Sequence, residues 1–126
     1  MCFSIILFSE QLWKKSEDGK LLNKLRCWLS TFCRKNYTSL PEYDAAGFIE
    51  FEERGVLTTK SGTSVVDFSV KESPITDEQE WYWEKPNDFS GWWHIVNKKT
   101  SKYLTAEVGS RFGLLSVKDK GNYYRP

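Results

Sequence analysis

A single histidine, a single methionine, three cysteines and four prolines are spread over 126 residues. With His94 alone, no His/Cys cluster of metal-ligand spacing can form. A Ser-His-Asp triad could draw only on His94, and the sequence contains no nucleophile elbow. The glycines form neither a phosphate-binding loop nor a dinucleotide fingerprint. These absences predict a non-enzymatic protein with no metal and no cofactor. Cys2, Cys27 and Cys33 are odd in number and too few for a disulfide framework. Cys27 and Cys33 could pair, but the preferred reading is free thiols in a reducing compartment.

Long apolar runs are missing too. No stretch approaches a membrane span. The apolar run Met1–Phe8 lacks a basic leader and a small-residue cleavage site, so it does not read as a signal peptide and a cytoplasmic location is favoured. Asn36-Tyr37-Thr38 is a glycosylation sequon that would matter only in a secreted protein. A net charge of +1 argues against nucleic acid and anionic membranes as partners. That near-neutrality hides a segregation: residues 1–40 carry net +4, residues 41–90 net −8, and residues 91–126 net +5.

Aromatics are plentiful, at 16% of the chain with six tryptophans. Apolar residues come in short runs divided by Gly, Pro, Asn and Ser, which predicts strands at Phe3–Phe8, Leu12–Lys15, Leu21–Leu25, Cys27–Phe32, Gly47–Glu52 and Val56–Thr59. Further strands are expected at Ser64–Val70, Glu80–Glu84, Trp92–Asn97, Lys102–Glu107 and Gly113–Val117. Leu21, Leu22, Leu25 and Leu29 fall at helix-like spacing, but Asp18-Gly19 signals a tight turn and favours a strand. The expectation is one all-β domain over residues 1–126, a barrel or a sandwich.

A phrase recurs. Gln11-Leu12-Trp13, then Asn23, then Leu29-Ser30-Thr31, is matched 68 residues later by Gln79-Glu80-Trp81, then Asn97, then Leu104-Thr105. Such self-similarity marks a repeated supersecondary unit. Pro41-Glu42-Tyr43 lies between the two as a degenerate third head, and Leu57-Thr58 echoes Leu104-Thr105. Three unequal units with heads near residues 11, 41 and 79 would fill the chain, with Phe3–Phe8 closing the barrel.

These residues resemble the repeats of ricin B-type β-trefoil lectins, strongly over 11–31 and 79–105 and weakly between. Lys102-Tyr103-Leu104-Thr105-Ala106 also resembles a segment of the fascin-type trefoil. The resemblance implies a β-trefoil of three unequal repeats, complete or a fragment of a longer multi-repeat protein. It makes Gln11, Trp13, Leu29, Leu57, Gln79, Trp81 and Leu104 the structural core. It also implies a carbohydrate-binding module whose partners are glycans or a glycoprotein; the alternative is a protein-interaction trefoil, such as an actin-binding one, using Lys98, Lys99 and Lys102. Where the lectins place an Asp after the x-Leu segment, this chain has Thr31, Thr59 and Ala106 or Glu107. Where they place an Asn before the head, it has Glu10 and Glu78.

Strand alternation adds a second line. Trp81 and Trp83 share one face and Tyr82 takes the other, while Trp92 and Trp93 cannot both be core. Exposed aromatics can serve as a platform for the apolar face of a sugar, with Asn87, Asp88 and Asn97 nearby for polar orientation. The candidate sugar-binding residues are Tyr82, Trp92, Asn97 and Glu107.

Overall fold

Alternating apolar and polar residues generate ten short strands among the described residues of the computed structural model, which are 10–24, 37–51, 54–60, 62–87, 91–107 and 115–121. They are β1 (Trp13–Lys15), β2 (Leu21–Asn23), β3 (Tyr37–Ser39), β4 (Glu50–Phe51), β5 (Gly55–Thr59), β6 (Val66–Ser69), β7 (Trp81–Glu84), β8 (His94–Asn97), β9 (Tyr103–Ala106) and β10 (Leu115–Lys118). A 3-10 turn, Asp77–Gln79, precedes β7. The chain is all-β. Strands β1 and β2 form a hairpin, β3-β4-β5-β6 one four-stranded sheet and β7-β8-β9-β10 another, every pairing antiparallel. The expected strands Phe3–Phe8 and Cys27–Phe32, the core residue Leu29 and all three cysteines lie outside the described residues.

Turn chemistry sets two of these hairpins. Asp18-Gly19 reverses the chain between β1 and β2, with Gly19 at φ +87°. The Ser16 amide closes the turn by donating to the Lys20 carbonyl at 2.9 Å. Asp18 reinforces it: hydrogen bonds from Ser16 and Lys20 hold its carboxyl below the ordinary carboxylate value. Between β4 and β5, Gly55 sits at φ +99°, and a Cβ there would lie 2.2 Å from the Ser69 carbonyl oxygen. Only glycine fits both the angle and the space.

The core collects the inward residues of every sheet. Trp13, Leu21, Ile49, Leu57, Trp81, Ile95 and Leu104 are all at most 1% exposed. Burying each such side chain contributes roughly 1.5–3 kcal/mol.

Backbone bridges join the three strand groups in a repeating way. Trp81 at the head of β7 exchanges backbone hydrogen bonds with Gly47, at 2.8 and 2.9 Å. Trp13 at the head of β1 does the same with Trp93, at 2.7 and 2.8 Å. The Tyr37 amide, heading β3, donates to the Gly19 carbonyl at 3.1 Å. Each head strand thus meets the loop that precedes the second strand of another group. By this pairing Tyr37, rather than the Pro41-Glu42-Tyr43 segment suggested by the sequence, takes the place in its strand group that Trp13 and Trp81 take in theirs.

The middle unit also replaces both polar features of the other two. Trp13 pairs across the ladder with Asn23, and Trp81 with Asn97, but Tyr37 pairs with Phe51. An indole and an amide give way to two rings 4.8 Å apart. Strand β3 escaped the sequence reading because Tyr37 is its one buried apolar residue. The strand expected to run to Val70 ends at Ser69, and Val70 is 81% exposed.

Candidate functional site

The Gln-x-Trp phrase forms two equivalent clasps. The Trp81 indole donates to the Leu57 carbonyl at 3.0 Å, and the Trp13 indole to the Leu104 carbonyl at 3.0 Å. Gln79 reaches the Thr58 hydroxyl and the Val70 carbonyl through its Nε2, at 3.3 and 2.9 Å, while its Oε1 accepts from the Glu72 amide at 2.9 Å. Gln11 repeats the pattern with the Thr105 hydroxyl at 3.1 Å, the Asp119 carbonyl at 3.0 Å and the Gly121 amide at 2.8 Å. A primary amide can donate and accept at once, so one side chain satisfies a carbonyl and the amide two residues later. The head residues therefore fasten one strand group to the next. For Gln11 and Trp13 the fastening joins the described N-terminal segment to the C-terminal sheet.

Of the four candidate binding residues, Asn97 must be reassigned. It is fully buried. Its Oδ1 accepts from the Lys99 and Thr100 amides at 3.0 and 3.1 Å, and its Nδ2 donates to the Glu78 and Glu80 carbonyls at 3.1 and 3.3 Å. Asn23 does the equivalent work, donating to the Glu10 and Leu12 carbonyls at 3.1 and 3.2 Å. Every polar atom of the Asn97 side chain is used internally, so none is left for a ligand.

The other three are spread over the surface. Glu107 is half-buried beside β10, accepts a hydrogen bond from the Ser116 hydroxyl and pairs with Lys118 at 3.2 Å. Trp92 is half-buried, and the Lys14 ammonium lies 4.6 Å from its ring centre. Tyr82 is half-buried on β7, opposite in direction to Trp81 and Trp83. Of the polar residues expected near the aromatics, Asn87 is exposed and Asp88 lies outside the described residues.

Tyr82 lines a cleft formed by described residues. That cleft, of about 330 Å³, has Tyr82 and Trp83 on one side and Tyr43, Asp44, Ala45 and Ala46 on the other. Its volume is at the small end of the roughly 300–1,000 Å³ typical of small-molecule sites. The aromatic residues around it brace one another. Tyr43 stacks on Trp93 with centroids 4.7 Å apart and meets Trp83 at 4.7 Å. The Trp83 indole donates to the Pro41 carbonyl at 2.9 Å, which pins the start of the loop. From the other direction, the Lys15 amide donates to the Tyr43 hydroxyl at 2.8 Å. The two alanines are exposed and add little bulk to the lining, and exposed Asp44 supplies a carboxylate beside them. Tyr43 and Asp44 were missed as site residues because the loop is one of the least patterned stretches of the chain. Its nearest signal was the Pro41-Glu42-Tyr43 triplet, read as a repeat head.

A second titratable group sits away from the cleft. His94 is buried; its Nδ1 lies 3.0 Å from the Gln11 carbonyl, and its ring meets that of Tyr103 edge-on at 4.9 Å. Burial pushes its pKa below the ordinary 6.5. The Tyr103 hydroxyl donates to Glu84 at 2.6 Å, and burial followed by that bond raises its pKa. Both groups knit β7, β8 and β9 together. Compared with known protein families, characterised proteins and solved structures, the chain matches none.

Proposed function

We propose that this chain is a non-enzymatic carbohydrate-binding module of β-trefoil type, and that the ligand occupies the cleft between Tyr82 and Asp44. The trefoil reading is supported by the twice-repeated Gln-x-Trp clasp and by the three backbone bridges at Trp13, Tyr37 and Trp81. The binding reading is carried by the cleft itself. Aromatic residues, small side chains and a carboxylate on a half-open surface match what a sugar needs: a flat apolar surface for its C–H face and an acceptor for its hydroxyls. This is a different position from the one used by the lectins that the sequence resembles. Their Asp position falls at Thr31, outside the described residues, at buried Thr59, and at buried Ala106 or half-buried Glu107, whose carboxylate is engaged by Ser116 and Lys118.

The actin-type alternative draws less support. Lys98 already faces Asp77 and Glu80 at 3.9 and 3.6 Å, and Lys102 faces Asp119 at 3.5 Å. Two of the three lysines of the basic patch thus have local counter-charges.

A glycan array on the purified chain tests the proposal, followed by calorimetry with Asp44→Asn and Tyr82→Ala. At least one glycan should bind, and each substitution should weaken it tenfold or more. Absence of binding to any glycan would end the carbohydrate reading.

A further inference from the structure

A second cleft, of about 390 Å³, lies beside the first, between the β1–β2 turn and β3. Its lining is hydroxyl-rich and charged, with Lys15, Ser16, Glu17, Thr38, Ser39 and Glu42 among its residues. It contrasts with the aromatic cleft in chemistry but shares its position. The aromatic cleft opens between the loop before Gly47 and the head strand β7. The polar one opens between the loop around Gly19 and the head strand β3. These are the same two places in successive strand groups, as the backbone bridges at Trp81–Gly47 and Tyr37–Gly19 define them. At the third such place Lys14 and Trp92 lie against each other across the gap.

The two clefts share a wall. Glu42 lines the polar cleft and its chain neighbour Tyr43 lines the aromatic one. Lys15, itself in the lining of the polar cleft, ties that wall down. Its amide holds the Tyr43 hydroxyl at 2.8 Å, its ammonium lies 5.2 Å from the Tyr43 ring centre, and it pairs with the Glu42 carboxylate at 3.3 Å. A braced saddle between two concave sites is the geometry of adjoining subsites along one chain-like ligand.

We infer that the two clefts are neighbouring subsites of one groove for a neutral oligosaccharide, an inference that rests on the carbohydrate reading above. The aromatic cleft takes the apolar face of one sugar. The polar cleft takes the hydroxyls of a sugar further along, through Ser, Thr and carboxylate groups. Asp44, Glu42 and Glu17 outnumber Lys15 along this path, so sialylated and uronic-acid glycans are disfavoured.

The test is an array of linear neutral glycans of one to six units, both hexoses and N-acetylhexosamines, beside sialylated counterparts. Calorimetry then follows on the shortest and longest binders. Binding should rise at least tenfold from one unit to three or four and then level off, with sialylated forms weaker. Thr38→Trp, at an exposed position lining the polar cleft, should remove most of the gain from length and leave monosaccharide binding unchanged. Glu17→Ala should reduce binding of the longer glycans alone, and circular dichroism should report the wild-type fold for both. Binding that is independent of length, or a length gain untouched by both substitutions, would overturn the groove while leaving the single-site reading intact. Failure of every glycan to bind would sink both.

Discussion

Truncating Asn97 to alanine separates a structural role from a ligand role. The side chain makes six hydrogen bonds inside the protein, two of them long contacts at 3.4 Å from the Thr59 and Thr100 hydroxyls that add little. Two go to the amides of Lys99 and Thr100, which lie near the surface and can recover water, so their loss costs about 1 kcal/mol each. The Glu80 carbonyl keeps the Lys98 amide as a donor at 2.9 Å, so it loses little. The remaining carbonyl and the small void left by truncation add about 1 kcal/mol. The expected total is about 3 kcal/mol. For a chain of this size that lowers Tm by roughly 10 °C. Asn97→Asp is the sharper variant: it keeps an acceptor for the two amides but turns a second carboxylate oxygen toward two carbonyl oxygens. It should be less stable than Asn97→Ala near neutral pH and should recover as pH falls toward 4, where a protonated carboxyl can donate. Urea unfolding followed by tryptophan fluorescence measures both. A loss under 1 kcal/mol for Asn97→Ala, with sugar binding abolished, would return Asn97 to the ligand and refute the staple.

Three other substitutions or conditions probe the framework. Tyr37→Phe should stabilise the protein by about 1 kcal/mol, because the Tyr37 hydroxyl is buried without a hydrogen-bond partner among the described residues; a fall in the urea midpoint would show that the hydroxyl is satisfied. Gly55→Ala should cost about 3 kcal/mol, since it combines a positive φ with a 2.2 Å clash against Ser69, and an unchanged midpoint would contradict that backbone path. His94 is buried in its neutral form, so between its ordinary value and its lower folded value the unfolded chain binds the extra proton. Its contribution is therefore complete above pH 6.5 and declines as pH falls, by at most about 1.4 kcal/mol per pH unit. Midpoints between pH 7.5 and 5 should show this slope, with Glu84 and Lys120 as the nearby charges, and a flat profile would place His94 in water.

The sequence made the all-β class and the clasps legible, because Gln-x-Trp, Asn23 and Asn97 recur with their chemistry intact. Trp81, Trp83 and Tyr82 could be assigned to opposite faces from alternation alone. The middle unit was harder, since Tyr37 and Phe51 replace the Trp and Asn that would have signalled it. Asn97 was misread for a physical reason: an Asn at the end of an exposed-looking strand serves a ligand or a turn equally well, and only the positions of the Lys99 and Thr100 amides decide. The cleft was half visible. Tyr82 stood out on β7, but Asp44, Ala45 and Ala46 have no pattern of their own and reach Tyr82 only through the Gly47–Trp81 bridge. A loop brought to a strand by long-range pairing leaves no local trace in the sequence.

The most direct measurement is a heteronuclear NMR titration of the isotope-labelled chain with the strongest glycan of the array. The account predicts amide shift changes centred on Asp44, Ala45, Ala46, Tyr82 and Trp83, extending to Thr38 and Ser39 as the glycan lengthens. Shifts centred instead on Thr59 or Glu107, or no shifts at millimolar sugar, would contradict it.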